Sequence, residues 1–442
     1  MIPMIKMKRI FLILTTASVL VGTKAFAQPS VRTDSVRLTL EDCLLYASGY
    51  NYARQSVVLN EASREASLDQ SRQERLPGVT AGVSENFSHT ETSGTNWSGN
   101  YDVSANMTLF QGGQITQTIK QNELQYEQTQ LQTQQYDNNL TIQVLQSFLT
   151  ALGNEELLKY QQAVVDASRQ QAEEGKIRFQ AGQILESDYL LLDAQYATDQ
   201  DNITTTHINL DNSLVALKNL MAMDLTQPIT LVYPDDAILD GMLVLPSQAE
   251  VLGRGMETLP DVRISDYNVE IAETGLKISK SGLYPTVSLT GGIGTGHTQN
   301  FKNFGTQVSD RFGPQAGVSV SIPIFNRSRT RTAVQQSRIA LQQAELERQQ
   351  SLADIEQTLI SEYSNVVSSA SKYKASDTRQ NAYNSSFQAY SEMFKAGSIT
   401  TVELLQQQNN YISAMNDYIQ NKYTFMLQRK VLDVYMGEQI KM

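Results

Sequence analysis

From Gln114 to about Arg178 the chain holds no proline, and its only glycines are Gly153 and Gly175. Ala, Leu, Gln, Glu and Lys dominate, residues that lose little side-chain freedom in a helix. Leu124, Leu131, Leu145 and Leu152 recur in steps of seven, with Asn138 in the missing place. That is the seam of a coiled coil. At 1.5 Å per residue the helix is roughly 100 Å long, far longer than a globular domain needs. The layout recurs from Arg329 to Met393, with Ile339 and Leu346 seven apart and Leu352, Leu359 and Val366 likewise. Phe110 and Phe325 lie 215 residues apart, as do Phe179 and Phe394, Gly182 and Gly397, and Tyr196 and Tyr411. One large unit is therefore duplicated. It is not a solenoid of short repeats.

The first 27 residues read as a signal peptide. Lys6, Lys8 and Arg9 form a basic start, an apolar run follows from Ile10 to Val21, and Ala25-Phe26-Ala27 is a small-x-small cleavage site. The run is too short to serve comfortably as a membrane span. Gln28 follows the site, so no cysteine is placed there for lipid attachment. The whole chain has 35 basic and 46 acidic residues, net −11. Four of the basic residues and none of the acidic ones lie in the signal, which leaves 31 against 46, net −15. Such a chain is a poor nucleic-acid partner. Cys43 is the only cysteine. It makes no intrachain disulfide and reads as a small buried residue. Beyond the signal no apolar run reaches the length of a transmembrane helix.

Residues 38–76 have a helical pattern, with a possible break near Gly49-Tyr50-Asn51, and Leu76-Pro77-Gly78 stops it. The period then changes to two. Val79, Ala81, Val83 and Phe87 alternate with Thr80, Gly82, Ser84, Asn86 and Ser88, and only Glu85 spoils the apolar side. After a polar loop, Tyr101, Val103, Ala105, Met107 and Leu109 alternate with Asp102, Ser104, Asn106 and Thr108. The second copy repeats the hairpin. Val287, Leu289, Gly291 and Ile293 form one strand, and Ala316, Val318, Val320, Ile322 and Ile324 the other. Strands of about ten residues with one apolar and one small polar face suit an outer membrane. Four strands cannot close a barrel, and open edges are not tolerated in lipid. The hairpins must be shared among chains, two giving eight strands and three giving twelve.

The expected organisation is a first repeat over 28–225, with β-hairpin 79–110, long helix 114–178 and return helix 187–221. An inter-repeat segment covers 226–247, read as a small ordered belt or a linker. The second repeat covers 248–442, with hairpin 286–325, long helix 329–393 and return helix 400–435. Each long helix ends in a turn, Arg178-Phe-Gln-Ala-Gly-Gln-Ile and Met393-Phe-Lys-Ala-Gly-Ser-Ile, whose glycine can take the left-handed conformation that stops a helix.

These pieces together resemble the TolC-type outer membrane efflux proteins. The parts are Leu38-Thr-Leu-Glu-Asp-Cys-Leu, the Leu-Pro and Tyr-Pro starts of the hairpins, Leu109-Phe-Gln-Gly-Gly, Ile322-Pro-Ile-Phe, and the two Phe-x-Ala-Gly turns followed by Asp188 and by Val402-Glu403-Leu-Leu. The resemblance implies a mainly α fold with transmembrane β. A duplicated long-helix coiled-coil barrel would continue into a shared twelve-stranded outer-membrane barrel in a homotrimer, with lipid around it. It implies docking of a periplasmic adaptor (a membrane fusion protein) that belongs to an inner-membrane pump. Docking is expected at the tips: Phe179, Ala181 and Gly182, with Phe394, Ala396 and Gly397. The pore constriction is expected at Asp188, Glu403 and Gln406. Family members carry two acids, three apart, after the second turn; Gln406 stands in the second place. The family's tyrosine and arginine latch to an acid at the Asp188 position, and Phe394 and Ile399 stand in those two places. The alternative for Asp188 and Glu403 is that they are first-turn acids favoured by the helix dipole.

The function expected is a passive duct and no enzyme, with no catalytic residue, cofactor or metal site. His89, His207 and His297 are scattered and lack zinc-ligand spacing. Rival readings are the outer-membrane part of an ATP-driven polypeptide secretion system and a periplasmic coiled-coil scaffold. A small-residue tunnel names no cargo.

Overall fold

The computed structural model describes residues 35–91, 94–233, 239, 241–298, 303–438 and 440. The signal peptide expected over 1–27 lies outside the described residues. The first half runs β1 (Val36–Leu38), α1 (Leu40–Tyr50), α2 (Tyr52–Gln73), β2 (Gly78–Thr90), β3 (Gly94–Gln111), α3 (Gln114–Gln180) and α4 (Glu186–Leu220). The second half runs β4 (Ile229–Leu231), α5 (Gln248–Thr258), α6 (Pro260–Ser281), β5 (Thr286–His297), α7 (Phe304–Asp310), β6 (Gly313–Ser321), α8 (Arg329–Lys395) and α9 (Thr401–Tyr435).

The two halves match element by element. α3 and α8 both have 67 residues, and α4 and α9 both have 35. Tyr52 and Pro260, which open α2 and α6, are 208 residues apart, whereas Gln114 and Arg329 are 215 apart. The difference of seven falls within the second hairpin, where α7 adds a seven-residue helix.

Local signals explain the boundaries. Thr39 opens α1 with a capping box to Asp42. Asn51 ends α1 and starts α2: its side-chain Oδ1 accepts from the Arg54 N–H, and its Nδ2 donates to the Leu220 carbonyl. Pro260 stands at the first position of α6, where a missing N–H costs nothing. The strand to the long helix is joined by two left-handed residues in each half. These are Gly112 and Gly113 in the first, and Arg327 and Ser328 in the second.

The main core gathers at mid-height of the long helices. Val144, Leu145, Phe148 and Leu152 of α3 pack with Leu217 of α4, Leu359 and Val366 of α8, and Phe425 and Leu432 of α9. Cys43 joins this core, and burial pushes its thiol up to about 12. β1 and β4 pair in parallel and tie the start of the chain to the inter-repeat segment. The sequence pattern missed the strand at Val36–Leu38.

The seven-residue seams behave differently in the two halves. Leu124 and Leu131 are buried because α3 lies between α2 and α6. Ile339 and Leu346 stand 47% and 65% exposed, because this part of α8 meets α6 on one side only.

The four longer strands make one antiparallel sheet in the order β2-β3-β5-β6. It is open, and β2 and β6 are its free edges. Val79, Ala81, Val83, Val103, Ala105, Leu289, Ile293, Val318 and Val320 share one face through the register. Thr80, Ser84, Ser104, Asn106, Ser288, Thr290 and Ser319 share the other, where Asp102 is the only charged residue among the described positions. The expected inclusion of Ile322 and Ile324 in the last strand is corrected. β6 stops at Ser321 because Pro323 has no N–H for the ladder. Among the described residues, no helix is long and apolar enough to cross a membrane.

Candidate functional site

The tips of the helical hairpins gather the residues singled out from sequence. α3 and α8 end in the same geometry. Gly182 has φ +70° and Gly397 has φ +71°. The Gly182 N–H donates to the Phe179 carbonyl at 2.9 Å and the Gln183 N–H to the Arg178 carbonyl at 2.8 Å. In the second tip, Gly397 donates to Phe394 at 3.0 Å and Ser398 to Met393 at 2.9 Å. These bonds satisfy carbonyls that the helix end leaves open. A Cβ added to either glycine would meet nothing within 4 Å. Ala181 and Ala396 are exposed beside them.

Two aromatic contacts organise the tips. The Phe179 ring stacks on Tyr189 of α4, 6.0 Å between centroids and 4° from parallel. The Arg178 guanidinium lies over the Phe394 ring, 5.5 Å from its centroid. The second contact joins the first hairpin to the second. Sequence reading missed it, since nothing in the spacing links residues 216 apart across two turns.

The candidate pore residues lie on the starts of the return helices. Glu403 closes a capping box. Its carboxylate accepts from the Thr400 N–H at 2.8 Å and hydroxyl at 2.9 Å, and its own N–H donates to Thr400 Oγ1 at 3.3 Å. The backbone N–H of Thr400, and then its hydroxyl, hold this carboxyl below the usual carboxylate range. Gln406 is exposed one turn on, on the face opposite the buried Thr401, Leu404, Leu405 and Gln408. Asp188 stands in the first turn of α4, half-buried, its N–H donating to the Leu185 carbonyl at 3.1 Å. Among the described residues no ion pair or hydrogen bond joins Asp188 to Glu403 within the chain. Ile399 is half-buried just before Thr400. No group of three or more metal-ligating side chains exists among the described residues.

Above the tips the packing turns polar. Ala172, Leu192 and Leu405 make a small apolar cluster with Tyr196 against it. Seven residues beyond Leu192, Asp199 is 3% exposed. Its Oδ1 accepts from Gln195 Nε2 at 2.9 Å, while Oδ2 has no hydrogen-bond partner. Burial pushes this carboxyl up. Thr206, seven further on, is buried too. The spacing Leu192, Asp199, Thr206 was the signal that could have found this layer. Gln195 in turn accepts from Asn409 of α9 at 3.2 Å, so the layer also reaches the second hairpin.

A family model described as outer membrane efflux protein matches residues 54–223 and 256–438. No curated protein matches the sequence significantly. The fold is similar to the Campylobacter jejuni CmeC outer membrane channel, at 14% identity and TM-score 0.75, covering 90% of this chain and 85% of that one. It is similar to the outer membrane protein VceC of Vibrio cholerae, at 12% identity and TM-score 0.75, covering 91% and 97%. It is also similar to the open state of the Neisseria gonorrhoeae MtrE outer membrane channel, at 18% identity and TM-score 0.70, covering 90% and 89%.

Proposed function

Because the chain belongs to the outer membrane efflux protein family, whose members are channels and not enzymes, we propose that it is the outer-membrane exit duct of a tripartite efflux system. It conducts small molecules passively from a periplasmic adaptor and an inner-membrane pump to the exterior. The observation that carries this reading is the sheet. It has one apolar face, one small polar face and two free edges, and each half feeds directly into a 67-residue helix.

A free edge has no place in lipid. Pairing β6 of one chain with β2 of the next removes both edges, and three chains give twelve strands. The same step sets α8 beside the α2 of its neighbour, because β6 leads into α8 and α2 leads into β2. It covers Ile339 and Leu346, which one chain leaves exposed. The polar face then lines the lumen and the apolar face meets lipid.

In the closed ring, three copies of Glu403 and of Asp188 at the tips favour cations over anions. Opening requires the hairpins to move outward, which breaks the contact of Arg178 with Phe394 and repacks the polar layer at Asp199. The tips Phe179, Ala181 and Gly182, with Phe394, Ala396 and Gly397, are the docking surface: left-handed glycines with open space let a partner hairpin approach closely.

The test is a photo-crosslinker at Ala181 or Ala396 in cells. Capture of an adaptor together with a proton-driven pump supports the efflux reading. Capture with an ATP-driven exporter moves the duct to secretion. No adaptor captured, from protein confirmed in the outer membrane with its pump expressed, overturns the docking assignment.

A further inference from the structure

Glu85 puts a carboxylate on the apolar face of β2, and the structure surrounds it. Glu85, Gly99 and His297 stand opposite one another across β2, β3 and β5. Gly99 has no side chain between the other two. A Cβ there would lie 2.3 Å from Glu85 Oε1 and 2.7 Å from His297 Nε2. The Glu85 carboxylate meets His297 Nε2 at 3.1 and 3.2 Å. It also accepts from the Tyr101 hydroxyl and from Trp97 Nε1, the latter at 2.8 Å. All four side chains are on the apolar face, at the end of the sheet remote from the long helices.

α7, the helix that the second hairpin has and the first lacks, covers this cluster. The Phe304 ring meets His297 edge-on at 5.2 Å, and Tyr101 stacks on the same imidazole at 6.2 Å. The Thr295 hydroxyl donates to the Val308 carbonyl. Thr295 and His297 lie on the apolar face, so α7 is folded over the outside of the sheet and not into its polar side. His297 is left with no exposed surface. Around the cover Phe304, Trp97 and Phe87 stay 37%, 41% and 69% exposed, and the last two rings meet edge-on at 6.4 Å.

Length fixes the depth. Along β3 the apolar face runs from Phe110 to Tyr101, about ten residues, and a tilted strand crosses the hydrocarbon layer in about 9–11. The cluster therefore falls one crossing from the helix-bearing end. A carboxylate there would be costly if it met acyl chains unpaired.

We infer that α7 is an interfacial helix: it lies in the headgroup layer of the outer leaflet, against lipid, and roofs the Glu85–His297 pair where the strands leave the hydrocarbon. The partner is the lipid surface, met by the aromatic rim of Phe87, Trp97 and Phe304 with the polar residues of α7 turned to the headgroups. This rests on the outer-membrane reading of the sheet.

Trp97 is the only tryptophan of the chain, so the native protein carries its own depth probe. The intact protein is reconstituted into phosphatidylcholine vesicles brominated either near the headgroup end of the acyl chains or near their methyl ends. Loss of most Trp97 emission with the shallow bromines and little loss with the deep ones is the expected result. No loss with either overturns the inference, since the rim then stands in water; stronger loss with the deep bromines overturns it too. Val103→Trp in a Trp97→Phe chain separates the two levels of claim. Its side chain faces outward three rows further into the sheet than Trp97, inside the ten-residue crossing, and is quenched by the bromines if the sheet spans the bilayer. Quenching at 103 without quenching at 97 removes only the interfacial helix, whereas no quenching at either removes the membrane reading itself. A polarity-sensitive dye on Ser309→Cys of α7 is expected to shift to the blue on reconstitution. Emission unchanged from water would contradict the placement. Buried Cys43 stays unlabelled.

Discussion

Arg178 of the first hairpin rests its guanidinium on the Phe394 ring of the second, 5.5 Å from the centroid. A cation over an aromatic face is worth about 0.5–1 kcal/mol where water still reaches it. The contact ties together the two hairpins that separate in the opening proposed above. Phe394→Ala should therefore raise the open probability of the isolated channel in bilayer recordings, and Phe394→Tyr should not. Arg178→Gln should behave like Phe394→Ala. Unchanged gating in both would show that the contact does not hold the tip.

Glu403 caps α9, and its proposed part in cation selectivity has to be separated from that cap. Glu403→Gln keeps an acceptor for the Thr400 N–H but removes the charge, so cation preference should weaken while folding is retained. The hydrogen bonds from Thr400 lower its pKa in the folded state. Its contribution to folding is thus present above the ordinary value of 4.5 and is lost as pH falls through the lowered value. Cation preference should follow the same course and outlast that of an unperturbed glutamate on acidification. Reversal potentials in a salt gradient across the pH range below 5 check both statements.

The two joints between strand and long helix should respond oppositely to mutation. A Cβ on Gly112 would meet the Ser281 carbonyl oxygen at 2.6 Å, at φ +59°. Gly112→Ala should cost more than the roughly 1–2 kcal/mol of a left-handed L-residue. Ser328, at φ 62°, caps nothing with its side chain. Ser328→Gly should hold or raise stability, by up to about 1 kcal/mol. Thermal unfolding of the two variants in detergent measures the contrast.

Asp199 gives a second pH dependence of opposite sign. Burial raises its folded pKa above the ordinary 3.8. The stability it contributes is complete below 3.8 and is lost as pH rises through the raised folded value. Asp199→Asn removes the charge with little change of shape, and should stabilise the hairpin at neutral pH and flatten this dependence. Hydrogen exchange reads it locally, in α4 around Asp199 and in α3 around buried Ser168, whose side chain opposes the upward shift of the Asp199 carboxyl. Faster exchange in Asp199→Asn would mean that the carboxylate, not its burial, holds the layer.

The long helices, their turns and the alternating strands were legible because each depends on a local period. Leu124 and Leu131 announced a seam, and Val79 to Val83 a face. What was hidden depends on neighbours far apart in the chain. Glu85 looked like a flaw in a strand until Gly99 and His297 brought its partners across two other strands. Arg178 and Phe394 meet only because two hairpins stand side by side. Ile339 and Leu346 were read as a seam like that of the first helix, yet one chain covers them on one side only. Pro323 was overlooked as the end of β6, although it lacks the N–H a ladder requires.

The most direct measurement is the mass of the intact protein extracted from outer membranes in mild detergent, by native mass spectrometry. The shared barrel predicts three chains per particle, falling to one on heating. A single chain per particle from the outer-membrane fraction would contradict the account, because the edges at β2 and β6 would then lie open in lipid.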